Sequence, residues 1–261
     1  MRFKVFLFLI LAACWLTRGT ARATPIVFGV TFQANGQAGF IDIATGNFDV
    51  VGTVGPEIND VAIAPNGTAY AIANEDELVT INTSNAAVTN LMSLPYGMET
   101  LDFNPTDGVL FAATQGALYT IDLGTPSYNY IGSYVNLGNA QNIRFDSAGN
   151  LYTTDTNDPT SVYSVSTSDG LATYDFKVYY GAVSLGYVDG RLYGVGISGI
   201  HGAGNLVWVN PATQSGTQIL SQFPSVDFSE PQQHGYVPEP GALWLCGLGL
   251  AALVFRSRKR A

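Results

Sequence analysis

Gly67-Thr68-Ala69-Tyr70, Gly108-Val109-Leu110-Phe111, Gly149-Asn150-Leu151-Tyr152 and Gly190-Arg191-Leu192-Tyr193 follow one pattern, with successive starts 41 residues apart. Three identical spacings mark an internal repeat, and a repeat governs the reading of every residue inside it. Before each glycine lies a short alternating strand: Val61-Ala62-Ile63, Leu101-Asp102-Phe103, Ile143-Arg144-Phe145 and Leu185-Gly186-Tyr187. Turns such as Pro65-Asn66-Gly67 then reverse the chain, with glycine free to take positive φ. A third strand ends in an apolar–polar pair, at Ile41-Asp42, Ile81-Asn82, Ile121-Asp122, Val165-Ser166 and Val209-Asn210. A weaker fourth follows, at Phe48–Val54, Val88–Leu94, Tyr128–Val135, Leu171–Tyr179 and Gly216–Phe223. Helical periodicity is absent from this stretch.

Four strands per repeat is the blade pattern of a β-propeller. The first blade lacks a first strand, because Ile26-Val27-Phe28 matches a second one. Near the other end, Val226-Asp227-Phe228 matches the first-strand column. The expected fold is therefore all-β, a five-bladed propeller whose C-terminal strand completes the blade that the N-terminal strand begins, leaving no open sheet edge between blades. An open β-solenoid, or six blades with one degenerate, is the alternative. The repeat is also similar to tandem propellers carrying L-Y-x-I-D and a T-G turn, here Leu118-Tyr119-Thr120-Ile121-Asp122 and Thr45-Gly46; that similarity bears on fold alone.

The charges are sorted along the chain. Of 11 basic residues, Arg2, Lys4, Arg18 and Arg22 lie at the start and Arg256, Arg258, Lys259 and Arg260 at the end. Only Arg144, Lys177 and Arg191 remain for the body, which holds all 20 acids. A surface so negative repels phosphate backbones, which excludes nucleic acid as a partner. The two cysteines, Cys14 and Cys246, fall in terminal apolar runs, so the body has no disulfide and no thiolate metal site.

Residues 1–23 have the layout of a signal peptide: a basic start, the apolar run Val5–Leu16, and cleavage after Ala21-Arg22-Ala23. Leu11-Ala12-Ala13-Cys14 offers a rival lipoprotein reading; the apolar run that continues through Trp15 and Leu16 favours cleavage after Ala23. The propeller is expected over 24–231 and a linker over 232–236. Then come Val237-Pro238-Glu239-Pro240, the apolar Ala242–Phe255 and the basic cluster, which should stay cytoplasmic and place the body outside. The apolar run is 14 residues, about 21 Å as a helix against a hydrocarbon core of about 30 Å.

These three parts, in order over 237–261, resemble the PEP-CTERM sorting signal of Gram-negative bacteria. The resemblance implies recognition of Pro238, Glu239 and Pro240 by an exosortase, cleavage near them, and release or re-anchoring of the protein. It implies a membrane partner in the C-terminal segment and an association with exopolysaccharide and the biofilm matrix.

Within the propeller, the residue before each first strand should ring one mouth of the central channel: Asp60, Thr100, Asn142, Ser184 and Ser225, with Glu99 beside Thr100. These side chains read either as a ligand or cation site or as turn residues bonded to nearby backbone. A glycosidase needs two carboxyls about 5–10 Å apart, and Asp60 and Glu99 are the candidate pair. No catalytic constellation stands out. His201 and His234 have no metal-ligand spacing, and Asp155-Thr156-Asn157-Asp158 and Glu75-Asp76-Glu77 lack the EF-hand pattern. No cofactor or metal is expected; a surface cation such as calcium has no motif behind it. Arg144, a lone base in a first strand, should be paired with a neighbouring acid. The expected function is an exported, non-catalytic binding or structural propeller at the cell surface or in the extracellular matrix, with polysaccharide as the candidate ligand. A secreted carbohydrate-active enzyme using the channel mouth is the alternative.

Overall fold

The computed structural model describes residues 25–31, 34–178, 184–197, 203–224 and 226–229. The signal-peptide, linker and sorting-signal expectations, with His201, His234 and Ser225, lie outside them. Residues Pro25–Gln233 form one compact unit, which contains five four-stranded antiparallel sheets.

Blade 1 is built from β1 (Ile26–Thr31), β2 (Gln37–Asp42) and β3 (Phe48–Thr53), joined by β20 (Val226–Ser229). Blade 2 is β4 (Ile58–Ile63), β5 (Ala69–Ala73), β6 (Glu77–Ile81) and β7 (Val88–Ser93). Blade 3 is β8 (Met98–Phe103), β9 (Leu110–Thr114), β10 (Ala117–Asp122) and β11 (Ser127–Ser133). Blade 4 is β12 (Ala140–Phe145), β13 (Leu151–Asp155), β14 (Asp158–Val165) and β15 (Ala172–Lys177). Blade 5 is β16 (Ser184–Val188), β17 (Arg191–Ile197), β18 (Ala203–Asn210) and β19 (Ser215–Pro224). The chain is a five-bladed β-propeller, and among the described residues it has no helix. The closure expected from Val226-Asp227-Phe228 is present: β20 pairs antiparallel with β1, Phe28 opposite Ser229 and Thr31 opposite Val226.

The local chemistry of the repeat accounts for each turn. Gly67, Gly108, Gly149 and Gly190 all take positive φ, between 74° and 86°, which only glycine adopts at no steric cost. The polar residue closing each third strand caps the following turn. Asp42, Asn82, Asp122 and Asn210 each accept, through Oδ1, the N–H two residues on, at 2.8–3.0 Å.

Burial falls from the axis outward. In β4, β8 and β12 every residue is buried or half-buried, whereas no residue of β3 or β7 is buried. Five apolar clusters fill the five interfaces between neighbouring blades. The cluster between blades 5 and 1 joins Val188, Tyr193 and Leu206 to Val27, Ile41 and Phe228, so the terminal strand is sealed by packing as well as by its ladder.

Candidate functional site

Each inner strand (β20, β4, β8, β12 and β16) is the edge of its own sheet, and these edges face one another around the axis. Their free N–H and C=O groups are buried and need partners from outside the ladder. Small polar side chains supply them from one blade to the next. Asp60 Oδ2 accepts the Leu101 N–H at 2.9 Å, Thr100 Oγ1 accepts that of Ile143 at 2.9 Å, and Asn142 Oδ1 accepts that of Leu185 at 3.1 Å. One layer further along, Asp102 Oδ2 accepts the Phe145 N–H at 2.7 Å and Ser229 Oγ that of Ile63 at 3.2 Å.

These residues lie inside the inner strands rather than before them. β4, β8 and β12 each begin three residues earlier than the repeat pattern shows, and each carries a bulge. Asn59 and Glu99 are the extra residues between the pairs Ile58–Ala73 and Asp60–Ile72, and Met98–Thr114 and Thr100–Ala113. A bulge re-aims neighbouring side chains. Asp60 and Thr100 turn inward, while Asn59 accepts the Glu75 N–H at 3.0 Å and Glu99 Oε1 accepts a bond from Gln115 Nε2 at 2.7 Å. Burial holds the Glu99 carboxyl above its ordinary range; the Gln115 bond opposes this, and the Glu75 charge adds to it.

Arg144 crosses this ring. From β12 its Nη2 reaches Asp60 Oδ1 on β4 at 2.6 Å, with both side chains at most 1% exposed. The guanidinium also donates to the carbonyls of Leu101 at 2.7 Å, Ile143 at 3.2 Å and Val61 at 3.3 Å. Three inner strands are thus tied through one cation. Asp60 gathers further donors from Thr100 Oγ1 at 2.5 Å, Asn142 Nδ2 at 3.3 Å and its own neighbour Val61 N at 2.7 Å. The acid expected beside Arg144 is therefore one of the ring residues, supplied from two blades away. Asp102, fully buried nearby, is pushed up to about 6 by desolvation, against the pull of Arg144 and the Phe145 N–H.

Of the six ring residues, Asp60, Thr100 and Asn142 converge on one network, and Ser184 is buried in β16. Glu99 points away from them to Gln115, and Ser225 lies outside the described residues. The acidic loop at Asp155–Asp158 is spent on local structure. Asp155 accepts the N–H groups of Gly138, Asn139 and Asn157 at 2.9–3.3 Å, and Asp158 pairs with Lys177 at 2.7 Å. Among the described residues no three metal-ligating side chains come together.

The decisive comparison concerns the C-terminus, where residues 237–259 match the model of the PEP-CTERM protein-sorting motif. The chain carries a PEP-CTERM sorting motif. This motif implies export through the inner membrane, processing by an exosortase, anchoring of the C-terminus and sorting to the cell surface. No curated protein matches the chain in sequence.

Similar solved structures share the propeller. A chain of the nidogen/laminin complex aligns with TM-score 0.55 at 12% identity, covering 79% of this PEP-CTERM protein and 81% of that chain. TolB from Acinetobacter baumannii aligns with TM-score 0.52 at 14% identity, over 79% of this chain and 54% of its own. A Bacteroides thetaiotaomicron protein of unknown function gives 0.51 at 12% identity, over 73% and 54%. The chain thus spans about half the length of the last two. At such identities the likeness concerns fold only.

Proposed function

We propose that the propeller of this PEP-CTERM protein is a non-catalytic binding module displayed at the cell surface or in the extracellular matrix, with polysaccharide as its ligand class. The observation that carries the reading is the Asp60–Arg144 pair: the polar groups of the axis are consumed in holding blades 2, 3 and 4 together. Hydrolysis of a glycosidic bond needs one carboxyl as acid and a second facing it across the substrate. Asp60 is fully buried and bound to a guanidinium, while Glu99 turns away toward Gln115. Among the described residues, the candidate pair Asp60 and Glu99 therefore do not face one another in those two roles.

The export half is tested by replacing Pro238-Glu239-Pro240 with alanines and comparing intact mass and cell fraction with the wild type. The expected wild-type product ends near residue 237 and leaves the inner membrane, while the variant keeps its tail and stays there. An unprocessed tail in both proteins would sink exosortase sorting. For the non-catalytic half, new reducing ends appearing when the wild type, but not Glu99→Gln, is incubated with polysaccharide would establish an enzyme instead.

A further inference from the structure

A second concavity lies where blades 4 and 5 meet, at the turn end of the inner strands and outside the axial network. It is open to solvent, holds about 440 Å³, and is lined by Tyr152, Tyr187, Arg191 and Trp208 with Asp146 and Asn210. That volume falls within the range of about 300–1,000 Å³ common to small-ligand clefts.

The repeat itself provides a control. Arg191 follows the turn glycine Gly190, where blades 2, 3 and 4 have Thr68, Val109 and Asn150. Trp208 stands one residue before Val209 of the third strand, where those blades have Thr80, Thr120 and Ser164. In blade 2 the equivalent hollow, about 400 Å³, is lined by Thr68, Thr80, Asn82 and Thr89 and carries no charged side chain. The hollow is thus a product of blade geometry. In blade 5 both of its outward positions are changed together, to a cation and a large aromatic ring.

Arg191 is also the exception in the charge pattern. Arg144 is buried against Asp60 and Lys177 is paired with Asp158. Among the described residues Arg191 is the one cation without a carboxylate at ion-pair distance. It is exposed, and its guanidinium lies 4.9 Å from the centre of the Trp208 ring. Stacking on an indole holds a guanidinium flat and leaves its N–H edges free for a planar, bidentate acceptor. The groove's own acid does not compete for that role. Asp146 accepts the N–H groups of Ala148 and Asn150, each at 2.9 Å, and Asn150 Nδ2 at 2.8 Å. Tyr187 is fixed by its hydroxyl bond to Ser147 at 2.9 Å, which sets its ring as a wall.

We propose that this groove binds a carboxylate-bearing saccharide, a uronic-acid unit of an acidic glycan, with the carboxylate on Arg191 and the sugar ring against Tyr187 and Trp208. The inference rests on the binding-module reading above and supplies its site. A single uronate set among neutral sugars suits one cation in a domain that is otherwise strongly acidic, whereas a chain with an acid at every residue is repelled by the rest of the surface.

The test titrates the full chain in detergent micelles with a tetrasaccharide of one glucuronic acid and three glucose units, its all-glucose counterpart and a tetraglutamate peptide. Calorimetry and Trp fluorescence report binding; Trp208 is the one tryptophan outside the two terminal segments. The uronate should bind in the micromolar-to-millimolar range and perturb the fluorescence, with the neutral sugar about tenfold weaker. Arg191→Gln should weaken uronate binding about tenfold or more, with an unchanged unfolding midpoint, and Arg191→Lys should keep part of the affinity. Uronate binding that is equal in Arg191→Gln places the site elsewhere and overturns the inference while leaving a binding module. Failure of the wild type to bind the uronate, or equal binding of tetraglutamate, overturns it as well. Conversion of the tetrasaccharide to shorter products overturns the non-catalytic reading and not the groove.

Discussion

The interfaces around the axis are held in two different ways. Between blades 2, 3 and 4 the inner strands are joined by charge: Arg144 binds Asp60 and three backbone carbonyls, and Asp102 takes the N–H of Phe145. Between blades 5 and 1 the described contact at this column is a close apolar one. Gly186 has no side chain, and an added Cβ would stand 2.1 Å from the Phe228 ring, which packs edge-on against Phe223. Both devices occupy one column of the repeat, where Ala62, Asp102, Arg144 and Gly186 are equivalent. Space near the axis is shared by all five blades, so one long side chain there requires small ones beside it. The repeat sets the frame, and the axis is where its five copies have to differ.

The sharpest way to break this comparison is Arg144→Met. It leaves Asp60 buried without its cation, and the expected loss of unfolding free energy is about 3–5 kcal/mol. Adding Asp60→Asn should recover part of that loss in urea unfolding; full additivity of the two changes would show that the pair is not coupled. Next comes Gly186→Ala, which drives a methyl into Phe228 and should cost about 1–3 kcal/mol, with Phe228→Leu restoring part of it. An unchanged melting temperature in Gly186→Ala would remove the apolar half of the comparison.

Asp102 sharpens the polar half through pH. Its folded value, about 6, lies above the ordinary 3.8. The protonated form is therefore favoured by folding: its contribution is complete below the unfolded value and is lost as pH rises from about 4 to about 6. Stability should fall by roughly 2–3 kcal/mol across that window. Asp102→Asn keeps an acceptor for the Phe145 N–H and should flatten the slope; a slope that survives the substitution belongs to another group. The smallest expected effect contrasts the two arginines. Arg191→Gln on the open groove should alter stability by no more than about 0.5 kcal/mol, against several for Arg144, so its consequences are to be read in binding alone.

Much of the fold was legible because a propeller blade repeats its local chemistry. The four turn glycines and the polar caps of the third strands follow from φ and side-chain bonding within a few residues. The fourth strands read weakly because they face solvent, where no apolar alternation is required. The early starts of the first strands were hidden, since Asn59 and Glu99 are bulged residues and interrupt the alternation. The ring of small polar residues was visible as a column, but its purpose was not. Turn chemistry acts within a few residues, whereas Thr100 and Asn142 serve the N–H groups of a strand about 43 residues on. The groove had a faint signal in sequence, the departure of Arg191 and Trp208 from their columns. Their meeting depends on pairing of β17 with β18, where Trp208 stands opposite Tyr193.

The sequence by itself determined the blade count, the closure by Val226-Asp227-Phe228, the acidity of the body and the sorting motif at its end. Each of these is written in spacing or composition, which survive without coordinates. The tertiary structure alone decided which of the column residues occupies the axis, which acid meets Arg144, and where the last cation of the body is presented. Those outcomes depend on five blades competing for one volume, and on residues more than 80 positions apart coming within hydrogen-bonding distance. No local rule reaches that far.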